Sequence, residues 1–267
     1  MADAAAQQEK AEKERLEQEL SIASRIQTSI LPRDLDVPGL RIAAMMIPAS
    51  EVGGDYYDVL SVNGGCWIGI GDVAGHGLRP GLVMMMLQSV VAAIGRHTPN
   101  ASPSELLGVV NAVLYDNVRQ RLNQDEHATL SLIRYDRSGE LVFAGAHEDL
   151  IVHRARSGEC ELVQTLGTWV GATSDIQDVT IDGRCRLEPG DTLVLYTDGV
   201  IEAQNAQGER FGIERLCAIV MDAAASGSAE TVRDRVIDAV SHFIAQQADD
   251  IAILVARYEG SGDDARN

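Results

Sequence analysis

The chain has 267 residues, 45% of them hydrophobic, which suffices for one large domain, or one domain plus an appendage, with a sizeable core. Its 40 acidic residues against 22 basic ones leave a formal net charge of −18, which argues against nucleic-acid recognition through a basic footprint and against attraction to an anionic membrane surface. No apolar run approaches the roughly 18 residues of a membrane span, residues 1–10 lack a charged-then-apolar signal pattern, and Cys66, Cys160, Cys185 and Cys217 are scattered without a Cys-x-x-Cys pair. A cytoplasmic protein with reduced thiols is the expectation.

Residues 7–31 are almost free of Gly and Pro and rich in Glu, Gln, Lys, Arg and Ala. Leu16, Leu20, Ala23, Gln27 and Ile30 recur at three- and four-residue spacing and Pro32 supplies a stop, which predicts a helix with a narrow apolar seam. Such a seam suits a short coiled coil with a partner helix, a second copy of this chain included, or docking on the chain's own body. Strands begin at residue 40, the first spanning 40–47. A hairpin follows, in which Asn63-Gly64 separates two β-prone runs and both central residues accept φ > 0. With that turn Val62 pairs with Gly65 and Asp55 falls opposite Asp72; a Gly64-Gly65 turn would shift the register by two. A helix is expected over 79–96, with Leu82, Val83, Met86, Leu87, Val90 and Ile94 on one face. The run Met84-Met85-Met86 reads as adaptable core filler. A second helix should begin after Ser102, with Pro103 at its first position, Glu105 near the cap, and Leu106, Leu107, Val110, Val113 and Leu114 as its buried stripe.

Further strands are expected at 127–135, 141–146, 150–154, 160–163, 179–187 and 192–196, separated by turn sequences such as Asp136-Arg137-Ser138-Gly139 and Glu188-Pro189-Gly190-Asp191. Helices at about 212–224 and 229–246, a strand at 251–258 and a disordered tail at 259–267 complete the chain. Strand runs interrupted by helix pairs predict an α+β fold. The expected architecture is an antiparallel β-sandwich flanked by helix pairs on both faces (α-β-β-α), with residues 35–258 as one domain behind an N-terminal helical segment, 1–34.

Carboxylates recur at the ends of these strands. Asp55 and Asp72 face one another across the hairpin, Asp198 follows the strand 192–196, and Asp249-Asp250 precedes the last one. Directly opposed side chains stand about 5 Å apart at Cβ, and carboxylates that close repel unless a proton or a cation lies between them. Oxygen-only donors suit Mg²⁺ or Mn²⁺, whereas the histidines and cysteines lack zinc-ligand spacing. Two such ions sharing a carboxylate would lower the pKa of a bridged water from about 15.7 toward about 7. Glycines beside Asp55 and Asp72 would let a phosphoryl group approach the backbone closely.

Glu51-Val52-Gly53-Gly54-Asp55-Tyr56-Tyr57-Asp58, Gly71-Asp72-Val73-Ala74-Gly75-His76-Gly77, Tyr196-Thr197-Asp198-Gly199-Val200-Ile201-Glu202-Ala203 and Asp249-Asp250-Ile251-Ala252 resemble, in order, the metal-dependent protein phosphatases (PPM). The nearest branch is the bacterial stage II sporulation E / RsbU-like one, and Ile26-Gln27-Thr28-Ser29-Ile30-Leu31-Pro32 resembles the helix that precedes that domain. The resemblance implies hydrolysis of phosphoserine or phosphothreonine on a protein, with a phosphorylated STAS-domain anti-sigma-factor antagonist as the expected substrate. It implies two Mn²⁺ or Mg²⁺ ions: Asp72 bridging them with the Val73 carbonyl as a further ligand, Asp198 and Asp249 (in preference to Asp250) holding one ion, and Asp55 reaching the other directly or through water. It also implies regulation through the N-terminal helix, by an upstream sensor or receiver domain or by dimerisation. His76, with an unperturbed pKa near 6.5, is a candidate proton donor to the leaving oxygen or a turn residue without chemistry; His147 reads as structural. Two segments depart from the family pattern, Ala146 within Ala144-Gly145-Ala146-His147 and the loop Gly167-Thr168-Trp169-Val170-Gly171, both in regions expected to tune the metal site. The competing readings are a degenerate phosphatase serving as an interaction module, and a hydrolase of small phosphoesters or nucleotides.

Overall fold

The computed structural model describes residues 2–32, 35–62, 64–75, 77–225 and 227–260; Asn63, His76 and residues 261–267, most of the expected tail, lie outside the described residues. Helix α1 (Ala2–Ile30) leads through β1 (Asp36–Val37) and β2 (Leu40–Ile47) to the hairpin of β3 (Asp55–Val62) and β4 (Gly65–Val73). Helices α2 (Leu78–His97) and α3 (Pro103–Tyr115) follow, then strands β5 (Ala128–Tyr135), β6 (Glu140–Ala146), β7 (Leu150–Arg154), β8 (Glu159–Val163), β9 (Gly183–Arg186) and β10 (Thr192–Tyr196). The chain then forms a single turn of helix, α4 (Asp198–Ile201), followed by α5 (Gly212–Ala224), α6 (Ala229–Phe243) and β11 (Ile251–Tyr258). One antiparallel sheet has the order β1-β2-β11-β10-β7-β8, the other β3-β4-β5-β6-β9.

Alternation along the strands explains the four layers. In β10, Leu193 and Leu195 join Tyr57, Val59, Ile68 and Ile70 between the sheets, while Val194 and Tyr196 face α5 and α6. In β3 and β4, Tyr56, Leu60 and Trp67 instead face α2 and α3. A strand covered on both sides has no polar face, which is why Thr192-Leu193-Val194-Leu195-Tyr196 reads as a continuous apolar run and is buried throughout. The architecture is therefore the α-β-β-α sandwich expected from the sequence.

Local signals account for most boundaries. Ser102 caps α3 by accepting from the Glu105 N–H at 3.2 Å, while the Glu105 carboxylate accepts from the Ser102 N–H at 2.8 Å; Pro103 sits where no N–H is needed. The hairpin pairs Val62 with Gly65 and Asp55 with Asp72, which is the register expected, with Gly64 at φ +85°.

Three expectations need correction. The strand expected at 179–187 is only Gly183–Arg186; Gln177–Val179 is a 3₁₀ turn. Beyond Phe143 the β6 edge is covered by the backbone at Gly167, where a Cβ would lie 2.7 Å from the Gly145 carbonyl carbon, so β9 has no partner there. Helix α6 ends at Phe243, because Ile244 turns extended at φ −70°, ψ 132° and Ala245 bonds the Gln204 carbonyl instead. Finally, α2 is long and apolar enough, by length and composition, to cross a membrane. It is a layer of this fold: Val83, Met84, Leu87 and Val91 are buried against β3, β4 and α3.

The last turns of α1 dock on the body while its outer surface stays bare. Gln27 is 1% exposed, whereas Leu16, Ile22 and Ile26 are exposed.

Candidate metal centre

Four elements bring acidic residues to one end of the sandwich. Asp55 opens β3 and Asp72 closes β4, opposed across the hairpin; Asp198 follows β10 and Asp249 precedes β11, in the other sheet. The sheets are tied together at this end. The Thr197 hydroxyl donates to Asp55 Oδ2 at 2.8 Å and accepts from the Ala252 N–H at 2.9 Å, which links the start of β3 to the ends of β10 and β11.

The electrostatics are those of uncompensated negative charge in a partly dry site. Burial, then the charges of Asp198, Asp249 and Asp250, push the Asp72 carboxyl up to about 8. Asp55, 1% exposed, is held well above the usual carboxylate range by burial and then by Asp72, with Thr197 working the other way. Asp198 is raised by burial and then by Asp249 and Glu202, and Glu148 by burial and then by Asp198.

Asp250 is set differently from its neighbour. It is 2% exposed, and its two oxygens accept from the Ala49 and Gly54 N–H groups, each at 2.7 Å. It thereby clamps the loop before β3, whereas Asp249 is exposed and acts on Asp72 and Asp198. Glycines allow the close packing. A Cβ on Gly54 would stand 2.6 Å from the Val73 carbonyl oxygen and 2.8 Å from Asp72 Oδ1, and one on Gly53 would collide with the Asp250 carboxylate.

The supporting roles of Gln27 and Thr129 are not read from the sequence, and His147 reads there as structural without its partners. Gln27 of α1 grips the backbone of Gly53, its Nε2 donating to the carbonyl at 2.6 Å and its Oε1 accepting from the N–H at 3.1 Å. His147 lies 2.9 Å from Thr129 Oγ1 through Nδ1 and 3.1 Å from the Tyr196 carbonyl through Nε2. Burial lowers its pKa to about 4, so the neutral ring donates from Nε2 and accepts at Nδ1 from the Thr129 hydroxyl, whose oxygen takes the Asp72 N–H at 3.2 Å. In the sequence, the Thr-Asp-Gly context of Thr197, the structural reading of His147 and the family-like segment around Gln27 are the hints of this. His76 lies outside the described residues.

Among the described residues, no three His, Cys, Asp or Glu side chains already converge so as to hold an ion. Mg²⁺ and Mn²⁺ keep several waters and take few protein ligands each, so donor chemistry is the better test of fit. The donors are carboxylate oxygens and one close backbone carbonyl, and the raised pKa values mark charge that a hard divalent cation would neutralise. The residues fit such an ion.

The chain is 26% identical over 247 residues to the protein named phosphoserine phosphatase RsbU of Bacillus subtilis (strain 168), covering 91% of this chain and 70% of that one. Its fold matches the SiaA-PP2C domain of Pseudomonas aeruginosa with a TM-score of 0.79 at 24% identity, covering 93% and 99% of the two chains. The RsbU and RsbW domains of Rv1364c from Mycobacterium tuberculosis match with a TM-score of 0.70 at 22% identity, over 84% and 61%. The family described as Stage II sporulation protein E (SpoIIE) matches residues 63–259. Most of the β-sandwich and three of the acidic strand ends fall inside that match, and the chain belongs to the SpoIIE family of PP2C-type (PPM) phosphatases, in its RsbU-like branch.

Proposed function

We propose that this chain is a divalent-cation-dependent protein serine/threonine phosphatase acting in partner-switching signalling. Its substrate is a phosphorylated protein of the STAS-domain anti-sigma-factor antagonist class. The observation that supports the reading is that Asp55 and Asp72 from one sheet and Asp198 and Asp249 from the other lie at one end of the sandwich, where burial and acidic neighbours raise the carboxyls of Asp55, Asp72 and Asp198. Asp72, with the Val73 carbonyl, would be shared between two Mn²⁺ or Mg²⁺ ions; Asp198 and Asp249 would complete one site and Asp55 would serve the other. Bound there, the ions would supply an activated water and neutralise charge on the phosphoryl oxygens. Asp250 holds the Gly53-Gly54 loop so that Asp55 is presented, and Thr197 orients the Asp55 carboxylate. The similarity to a protein named a phosphoserine phosphatase supports the reaction class. The test is phosphate release from p-nitrophenyl phosphate and a phosphoserine peptide: turnover should require Mn²⁺ or Mg²⁺ and stop on chelation. Turnover that survives a chelator would overturn the reading.

The same reading makes α1 a regulatory element, joined to a second copy of the chain or to a sensor or receiver domain through its bare Leu16, Ile22 and Ile26. Gln27 links it to the site, since Gly53 precedes Asp55 by two residues. Replacing Gln27 by Ala leaves a buried N–H and carbonyl unpaired, a local cost of about 1–3 kcal/mol. The Mn²⁺ concentration for half-maximal turnover should rise several-fold in Gln27→Ala. An unchanged metal dependence, or equal activity with and without residues 1–30 at constant oligomeric state, would uncouple the helix from catalysis.

A further inference from the structure

Beside the acidic cluster runs an open groove of about 720 Å³, formed by Ala74 and Gly75, the start of α2 at Leu78 and Arg79, and residues Asp125 to His127. At its edge the His127 ring is stacked on Trp169, with ring centroids 4.9 Å apart and planes at 22°. Trp169 is 52% exposed and Leu78, in the groove wall, 40%.

Backbone pairing fixes this aromatic pair next to the candidate metal ligands. Val73 is in register with Ala128, and the Ala74 N–H donates to the His127 carbonyl at 2.9 Å. Ala128 and Val170 exchange both backbone hydrogen bonds, at 2.9 and 2.8 Å, so the loop 167–171 is pinned to the start of β5 with Trp169 turned outward. Val170 is fully buried, and Asn111 accepts from the Gly171 N–H at 2.8 Å, so the chain is anchored immediately after the indole. A large aromatic held in place and left bare matches the residue type that dominates binding at protein interfaces.

Resting on the phosphatase reading, we infer that the Trp169–His127 pair and the groove beneath it bind the polypeptide flanking the phosphorylated residue, and that they select an apolar side chain there. The occupant is an extended segment of the phosphoprotein substrate. Ala74 and Gly75 of the groove wall follow Asp72 and Val73 directly in the chain, so a substrate segment that enters the acidic cluster from this side passes over the groove. Its volume lies within the range of ligand clefts, roughly 300–1,000 Å³. Charge sets the preference. Asp125 and Glu126 border the groove in a protein of net charge −18, while Arg79, at 3.1 Å from Gln124 Oε1, is the cation among its described lining residues. Acidic flanks are repelled, and the indole and Leu78 offer apolar contact.

The experiment uses the full chain with Mn²⁺ and three phosphoserine peptides that differ only in carrying Leu, Gly or Glu two residues from the phosphoserine. The wild type should favour Leu over Gly by roughly tenfold in kcat/KM, with Glu poorest, and in Trp169→Ala the Leu/Gly ratio should fall to near 1. A readout independent of turnover comes from the chain's two tryptophans, of which Trp67 is buried and Trp169 exposed. A non-hydrolysable phosphonate version of the Leu peptide should shift the emission to the blue, and the shift should vanish in Trp169→Ala. Equal Leu/Gly ratios in wild type and variant, or an emission unchanged at saturating peptide, would overturn the inference. Wild type without turnover of p-nitrophenyl phosphate would remove the phosphatase reading, and the emission shift alone would then decide the docking.

Discussion

Asp72→Asn should abolish turnover and at the same time make the cation-free protein more stable. The carboxylate shared by both proposed ion sites is lost, and metal-site stabilisation of several kcal/mol corresponds to roughly a thousandfold or more in rate. The opposite sign for stability follows from the acid–base linkage. A carboxyl whose pKa is raised by folding, as burial and the charges of Asp198 and Asp249 raise that of Asp72 to about 8, binds its proton more tightly in the native state. Its contribution is fully favourable below the unfolded value near 3.9 and is lost as pH climbs through about 8. In chelator the wild-type melting temperature should therefore fall between about pH 5 and pH 8. Asparagine carries no charge to expel, so the variant should melt higher at pH 8, by about 2 kcal/mol or roughly 4–6 °C after allowance for solvent screening, and close to wild type at pH 5. A variant less stable than wild type at pH 8 in chelator would show that the acidic cluster is not strained.

Gly199→Ala should be severely damaging. A Cβ there would sit 1.8 Å from the Asp250 carbonyl oxygen, a backbone atom at the start of β11. Relief requires the turn after β10 to separate from β11, which moves Asp198 away from Asp249. Overpacking of this kind costs about 3 kcal/mol, so the melting temperature should drop by roughly 6–10 °C and turnover should be lost. Gly108, inside α3, is the control, since its added Cβ would meet only Gln177 at 3.7 Å. There the same substitution should be neutral or stabilising by up to about 1 kcal/mol. Thermal denaturation of both variants decides it; a Gly199→Ala protein that melts like wild type would mean that the turn has room to yield.

The parts of the site that were legible in the sequence follow from local periodicity. Asp55 faces Asp72 because a two-residue turn and a side-chain period of two leave no freedom once Asn63-Gly64 is taken as the turn. The strands ending at Tyr196 and beginning at Ile251 announced themselves by apolar runs, so the aspartates at their tips could be named in advance. What stayed hidden depends on partners far along the chain. Nothing near Gln27 indicates that its amide grips a backbone 26 residues away. Asp249 and Asp250 are the same residue type side by side, and only the placement of the Ala49 and Gly54 N–H groups gives the second one its clamping role. Trp169 stood out as a departure from the family pattern, yet its stacking on His127 needed the cross-connection between Ala128 and Val170 to become visible.

The acidic ends are divided between layers, Asp55 and Asp72 on one sheet and Asp198 and Asp249 on the other. Any cation engaging both pairs acts as a rivet against shear between the two halves of the sandwich. On the proposed reading, loss of that cation would do more than idle catalysis: it would loosen the joint and leave the chain more open to proteolysis.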